Sequence, residues 1–196
     1  MLSLILDTST KYLYIALVKD SKVLAEKIFE GSKNHAGNSV YQIDLLLKEF
    51  NLKTTDLDNV YCGYGPGSYT GVRISVTIAK MLASFQDIKL YAVSSLFLAG
   101  SGYDNKNTAI MFDARRGNSF CACYGEKLIE DKLRSNEEFL NSVNGLEDLI
   151  IVNETNFKVN PLKVMSNAML VEDVEAFVPK YLRITEAEYN LKHQND

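Results

Sequence analysis

The stretch Tyr61-Cys-Gly-Tyr-Gly-Pro-Gly-Ser-Tyr-Thr-Gly-Val-Arg-Ile-Ser-Val-Thr-Ile-Ala-Lys80 decides the architecture. Its left end continues an apolar run from Asp56 to Tyr64, which reads as a strand. Its right end, Val72–Phe85, reads as a helix despite its β-branched residues. Gly65-Pro66-Gly67-Ser68-Tyr69-Thr70-Gly71 joins the two. Glycine permits positive φ and close backbone approach, Pro66 fixes one torsion, and Ser68 or Thr70 can cap the helix. A strand, a glycine loop and a helix N-terminus also present free N–H groups to an anion. No Lys-Ser/Thr follows Gly71, so this is not a Walker A loop, and Thr70 occupies the third glycine position of G-x-G-x-x-G. A tight connection for helix packing and a phosphate site are equally good readings of these residues.

Before the stretch, Leu2–Leu6 is a continuous apolar run ending in Asp7-Thr8-Ser9-Thr10, as in a strand covered on both faces. Tyr12–Val18 and the alternating Val23–Glu30 follow through short turns. Three strands without a helix argue against a Rossmann opening. A helix over Ser39–Phe50 presents Val40, Ile43, Leu47 and Phe50 in one stripe and Tyr41 and Leu45 beside it. In the next helix Ile74, Ile78, Met81, Leu82 and Phe85 form a bulky stripe, and Gly71, Ser75 and Ala79 a small one. Both apolar arcs exceed what one sheet face covers, so a second lobe or a partner must cover the rest.

After a strand at Ile88–Val93 and a helix capped at Ser94-Ser95, Gly100–Asn105 reads as a linker. The pattern then restarts: strands at Thr108–Phe112, Asn118–Tyr124 and Lys127–Leu133, a helix at Asn136–Val143, a strand at Leu149–Val152, helical character over Pro161–Leu170, and an extended Val178–Arg183. A meander followed by a helix, repeated in reduced form, predicts an α/β, actin-like (ASKHA, ribonuclease H-like) fold. It has a first lobe over 1–103 and a smaller second lobe over 104–196.

The 196 residues carry a formal charge of −4, which argues against a general basic surface for nucleic acid. Residues 1–100 sum to +1 and 101–196 to −5, and only three of 11 glycines lie beyond residue 103. Arg115 and Arg116 are the only adjacent basic pair. Asp7 and Thr8, and Asp113 in the mirrored turn Asp113-Ala-Arg-Arg-Gly117, are either strand-end caps or residual nucleotide-facing residues. His35 and His193 form no metal pair, and His35 reads as a loop histidine. Cys62, Cys121 and Cys123 read as buried thiols of a reducing compartment. The start lacks a basic segment before its apolar run, so the cytoplasm is the expected address, with no membrane association. G-x-S-x-G is absent, which leaves a protease little support.

LILDTST (4–10), NHAGNSVYQIDLLL (34–47), the opening stretch, AVSSLFLAG (92–100), AIMFDARRGNSFCACYG (109–125) and VPKYLRITEAE (178–188) occur in this order along the chain. In these residues the chain resembles the TsaB family, once grouped with glycoprotease-like proteins. The resemblance implies a non-catalytic, actin-like subunit of the machinery that makes threonylcarbamoyladenosine at tRNA position 37. It implies no catalytic residue and no metal. It implies a heterodimer with the transferase TsaD and the ATPase TsaE acting on the pair. Further implications are a homodimer when the chain is alone, contact with tRNA only through the complex, and ATP or ADP only near the partner interface. Helices over about 36–50 and 70–85 would carry the interface, with Val40, Tyr41, Ile43, Asp44, Leu47, Thr70, Arg73, Ile74, Thr77, Ile78 and Met81 as its candidates. Two departures stand out: a short second lobe, and His35-Ala36 where the family has His-Ser. An actin-fold ATPase or phosphotransferase is the alternative.

Overall fold

A computed structural model describes residues 1–30 and 35–182, with the backbone alone for His35 and Gln86. Two mixed sheets organise it. The first has the order β10-β5-β4-β1-β2-β3, and the second β8-β7-β6-β9. The first comprises β1 (Leu2–Asp7), β2 (Tyr12–Lys19), β3 (Lys22–Glu30), β4 (Asn59–Gly63), β5 (Lys89–Val93) and β10 (Met169–Leu170). β1 pairs antiparallel with β2 (Leu6 opposite Ile15) and parallel with β4 (Leu6 opposite Cys62). Every β1 residue is buried, Ser3 and Asp7 included, as in a central strand covered on both faces.

The two faces of this sheet are covered differently. Leu4, Leu6, Leu13, Ile15 and Leu17 face α1 (His35–Glu49) and α2 (Tyr69–Gln86), meeting Ile43, Leu46, Leu47, Val76 and Ala79. Ile5, Tyr14, Ala16 and Val18 face the other way, toward Leu98 of α3 (Ser95–Gly100) and Val164 of α5 (Pro161–Asn167). The second sheet comprises β6 (Asn107–Asp113), β7 (Asn118–Gly125), β8 (Ile129–Ser135) and β9 (Leu149–Val152). α3 covers one face, through Leu96 and Ala99 against Ile110, Phe112 and Phe120. α4 (Asn136–Val143) covers the other, through Phe139 and Val143 against Cys121 and Cys123. The three cysteines are free and buried, and burial pushes their thiols up.

Three sequence expectations are corrected. The fourth strand starts at Asn59 because Thr54–Asp56 forms a 3-10 turn. α5 stops at Asn167, so the expected helix to Leu170 gives way to the edge strand β10, antiparallel to β5. The C-terminal segment also returns to the first sheet. Phe157–Ala168 packs on the first sheet, and Val171, Val174 and Phe177 pack into its helical core. His35, expected in a loop over 31–38, begins α1, while 31–34 lie outside the described residues.

Candidate functional site

The turn after β1 is built into its own chain. Asp7 Oδ1 accepts from Ser9 N (2.9 Å) and Ser9 Oγ (2.7 Å), and Oδ2 accepts from Ser95 Oγ at the start of α3. Ser95 Oγ in turn accepts from Gly65 N at 3.0 Å. Burial raises the Asp7 carboxyl above its ordinary value, against the lowering effect of hydrogen bonds from Ser95 and Ser9. Thr8 Oγ1 donates to Gly71 O (2.6 Å) and accepts from Ser75 N (3.0 Å). Ser68 N donates to Ser9 O at 2.6 Å.

These contacts explain the glycines. A Cβ on Gly63 would lie 1.8 Å from Asp7 Oδ2, one on Gly67 2.5 Å from Ser9 O, and one on Gly71 2.0 Å from Thr8 O. The signature loop is therefore packed against the 7–9 turn. Ser68 caps α2 by accepting from Gly71 N at 3.3 Å, so the helix opens at Tyr69 instead of Val72. The peptide bond between Gly65 and Pro66 is cis.

The cleft beside Asp7 is closed as well. Thr10, Tyr12, Tyr14, Ser95, Phe112 and Phe157 leave about 10 Å³ there, room for about one water. Tyr12 and Phe157 meet across it, ring centroids 5.8 Å apart. Asp113 is exposed and accepts from Arg115 N at 2.8 Å, closing its own turn. Among the described residues no group of three His, Cys, Asp or Glu could hold a metal ion.

α1 and α2 lie side by side on the sheet, and their outer faces expose large apolar groups: Val40 (56%), Tyr41 (57%), Leu45, Met81 (56%) and Phe85 (80%). Thr70, Arg73 and Thr77 continue this face toward the start of α2, with Asp44 half-buried on α1. Asp44 is paired with Lys48 at 2.7 Å. The chain's own packing takes up some of the expected interface residues. Ile43, Leu47 and Ile78 are buried in the chain's own core, and Ile74 is half-buried against it. The reason is that α2 turns its small side toward the sheet. Val72, Ser75, Val76, Ala79 and Ala83 face inward, and Ser75 Oγ donates to Gly63 O at 2.9 Å. Phe85, part of the bulky stripe read from the sequence, is exposed. Tyr69 and Tyr181, which flank Arg73, were also missed, because they meet only when the C-terminal segment folds back (ring centroids 5.0 Å apart).

The family model described as "TsaD: tRNA N6-adenosine threonylcarbamoyltransferase" matches residues 22–142. The tRNA threonylcarbamoyladenosine biosynthesis protein TsaB of Bacillus subtilis is 33% identical, over 96% of each chain. TsaB of Escherichia coli is 33% identical over 62% of this chain and 54% of its own. A Pseudomonas aeruginosa structure, described as an uncharacterized protein with similarity to peptidase YEAZ, superposes with a TM-score of 0.75. It is 23% identical and covers 93% of this chain and 99% of that one, a likeness of fold. With a packed signature loop on an actin-like frame, and with this relationship along nearly its whole length, the chain belongs to the TsaB family of tRNA threonylcarbamoyladenosine biosynthesis proteins.

Proposed function

We propose that this chain is a non-catalytic subunit of the complex that makes threonylcarbamoyladenosine at tRNA position 37, and that it works by holding the transferase TsaD. The observation that carries this reading is the exposed apolar face of α1 and α2. Large apolar groups clustered on two adjacent helices form a surface that gains free energy when a partner removes them from water. The closed cleft beside Asp7 supports the non-catalytic part and disfavours the ATPase alternative. TsaD binds in a heterodimer, and in its absence two copies of this chain cover the same face. TsaE acts on the assembled pair, and ATP or ADP binds near the junction of the subunits. With a net charge of −4 the chain reaches tRNA through the complex. It works in the cytoplasm, and among the described residues no helix is long and apolar enough to cross a membrane.

Met81→Glu tests the surface. Desolvating a glutamate there costs about 3 kcal/mol, which weakens TsaD binding more than about a hundredfold. Because Met81 is exposed, the variant melts with the parent. Unchanged binding by calorimetry, or full tRNA modification by TsaD in a reconstitution without this chain, overturns the reading. Ile78→Glu is unsuitable, since it buries a charge in the chain's own core.

A further inference from the structure

The motif Val178-Pro179-Lys180-Tyr181-Leu182 lies outside the cleft and beside the start of the helical face, and it touches both lobes. After β10 the chain runs back along α2. Lys80 Nζ donates to the carbonyls of Glu175 (2.7 Å) and Phe177 (2.9 Å), and the Phe177 ring lies 5.8 Å from that of Tyr64. Lys180 N donates to Tyr64 O at 2.8 Å, fixing the segment to the start of the signature loop. A Cβ on Gly65 would lie 2.8 Å from Lys180 O, so this glycine makes room for the segment.

From that point successive side chains diverge. Lys180 Nζ reaches Asp131 Oδ2 of β8 at 2.9 Å, and the Asp131 side chain is only 5% exposed. Its other oxygen accepts from Tyr124 OH of β7 at 2.5 Å. Leu182 packs into the core of the second sheet. Tyr181 between them turns to α2. Its hydroxyl accepts from Arg73 Nε at 2.7 Å, and the Arg73 guanidinium lies 4.1 Å from the Tyr69 ring centroid and 5.7 Å from that of Tyr181. Arg73 occupies the same outer stripe as Thr70, Thr77 and Met81.

We propose that Lys180 and Tyr181 are positioning residues. They staple the first turns of α2 to the second lobe, so that the partner-binding face is held in one orientation before the partner arrives. The inference rests on the docking role proposed above. A pre-set face avoids the ordering cost that a loosely held helix end carries into binding. The ion pair suits this task, since the nearly buried Asp131 needs the partner that only a correctly seated strap supplies.

The test uses the full chain with the TsaD subunit. Lys180→Gln and Tyr181→Ala are titrated against TsaD by calorimetry, beside Met81→Glu and the charge-retaining Lys180→Arg. Amide exchange in the free chain is followed at 69–75 and at 40–47. Each strap variant is expected to weaken binding about tenfold, while Lys180→Arg stays within about twofold of the parent. Exchange is expected to rise about tenfold at 69–75 and to stay unchanged at 40–47. Parent-like binding by Lys180→Gln and Tyr181→Ala, with binding lost in Met81→Glu, overturns the positioning role and leaves the docking role standing. Parent-like binding by Met81→Glu overturns the docking role, and with it the inference. A uniform rise in exchange over both helices marks the strap as a general stabiliser and also overturns the inference. Should Tyr181→Ala not fold, Lys180→Gln decides through the same readings.

Discussion

Each lobe opens with a strand, an aspartate-led turn and an antiparallel strand, and the two turns have opposite fates. Asp7 is buried, accepts three hydrogen bonds and lies against the signature loop. Asp113 is exposed and accepts one from Arg115 N. Arg115, Arg116 and Gly117 all take positive φ around it, a tight reverse turn whose Gly117 O accepts from Asn136 N at 2.9 Å. The difference lies in what each turn is tied to. The first turn is cross-linked to the helix that carries the exposed face, and the second stops at a local turn.

Substitutions at equivalent places should break or sharpen this contrast. The largest effect is expected at Gly71, where a Cβ would lie 2.0 Å from the backbone oxygen of Thr8. Gly71→Ala should destabilise the chain by about 4 kcal/mol in urea unfolding, because a backbone atom must move. Gly117 meets nothing within 4 Å. Gly117→Ala should lose only about 1 kcal/mol, the penalty of a left-handed conformation for a residue with a Cβ. Equal losses at both sites would end the distinction between a packed loop and an open one.

A smaller contrast is expected between the aspartates. Asp7→Ala strands the hydroxyls of Ser9 and Ser95 and the Ser9 N–H, and should lose about 3 kcal/mol by the same measurement. Asp113→Ala should lose about 1 kcal/mol or less, since water replaces its one bond. Similar losses would contradict the buried, cross-linked role of Asp7.

The smallest expected effect is in pH dependence. Burial raises the Asp7 carboxyl, so the folded chain holds that proton more tightly than the unfolded chain does. Its contribution is full below the ordinary carboxylate range and is lost as pH rises through the raised value. Urea midpoints of the parent, measured between about pH 4 and pH 8, should therefore fall relative to those of Asp7→Asn, which has no proton to lose. Parallel profiles would show that the Asp7 carboxyl is not raised by burial.

Much of the frame was legible in the chain itself. The Leu2–Leu6 run, the short turns after it and the restart beyond Gly100–Asn105 gave two sheets, because continuous and alternating apolar runs have one good placement in a layered fold. Ser94 and Ser68 were legible as caps, since their side chains satisfy amides a few residues away. Local chemistry suffices for such features.

Orientation was a tertiary matter. The arc of α2 is apolar nearly all round, so periodicity could not say which side meets the sheet. The answer came from the close approach of Gly71 and Ser75 to the strand-end turn, which draws the small stripe inward and leaves Met81 and Phe85 outside. The same approach packs the glycine loop against the strand-end turn, a contact that the glycines alone do not specify. The meeting of Tyr181 with Arg73, 108 positions apart, depends on the whole fold bringing the chain back. The sequence by itself determined the elements, their order and the family. Tertiary packing decided which faces are spent on the core and which remain exposed, because burial is a property of what the rest of the chain places opposite a residue.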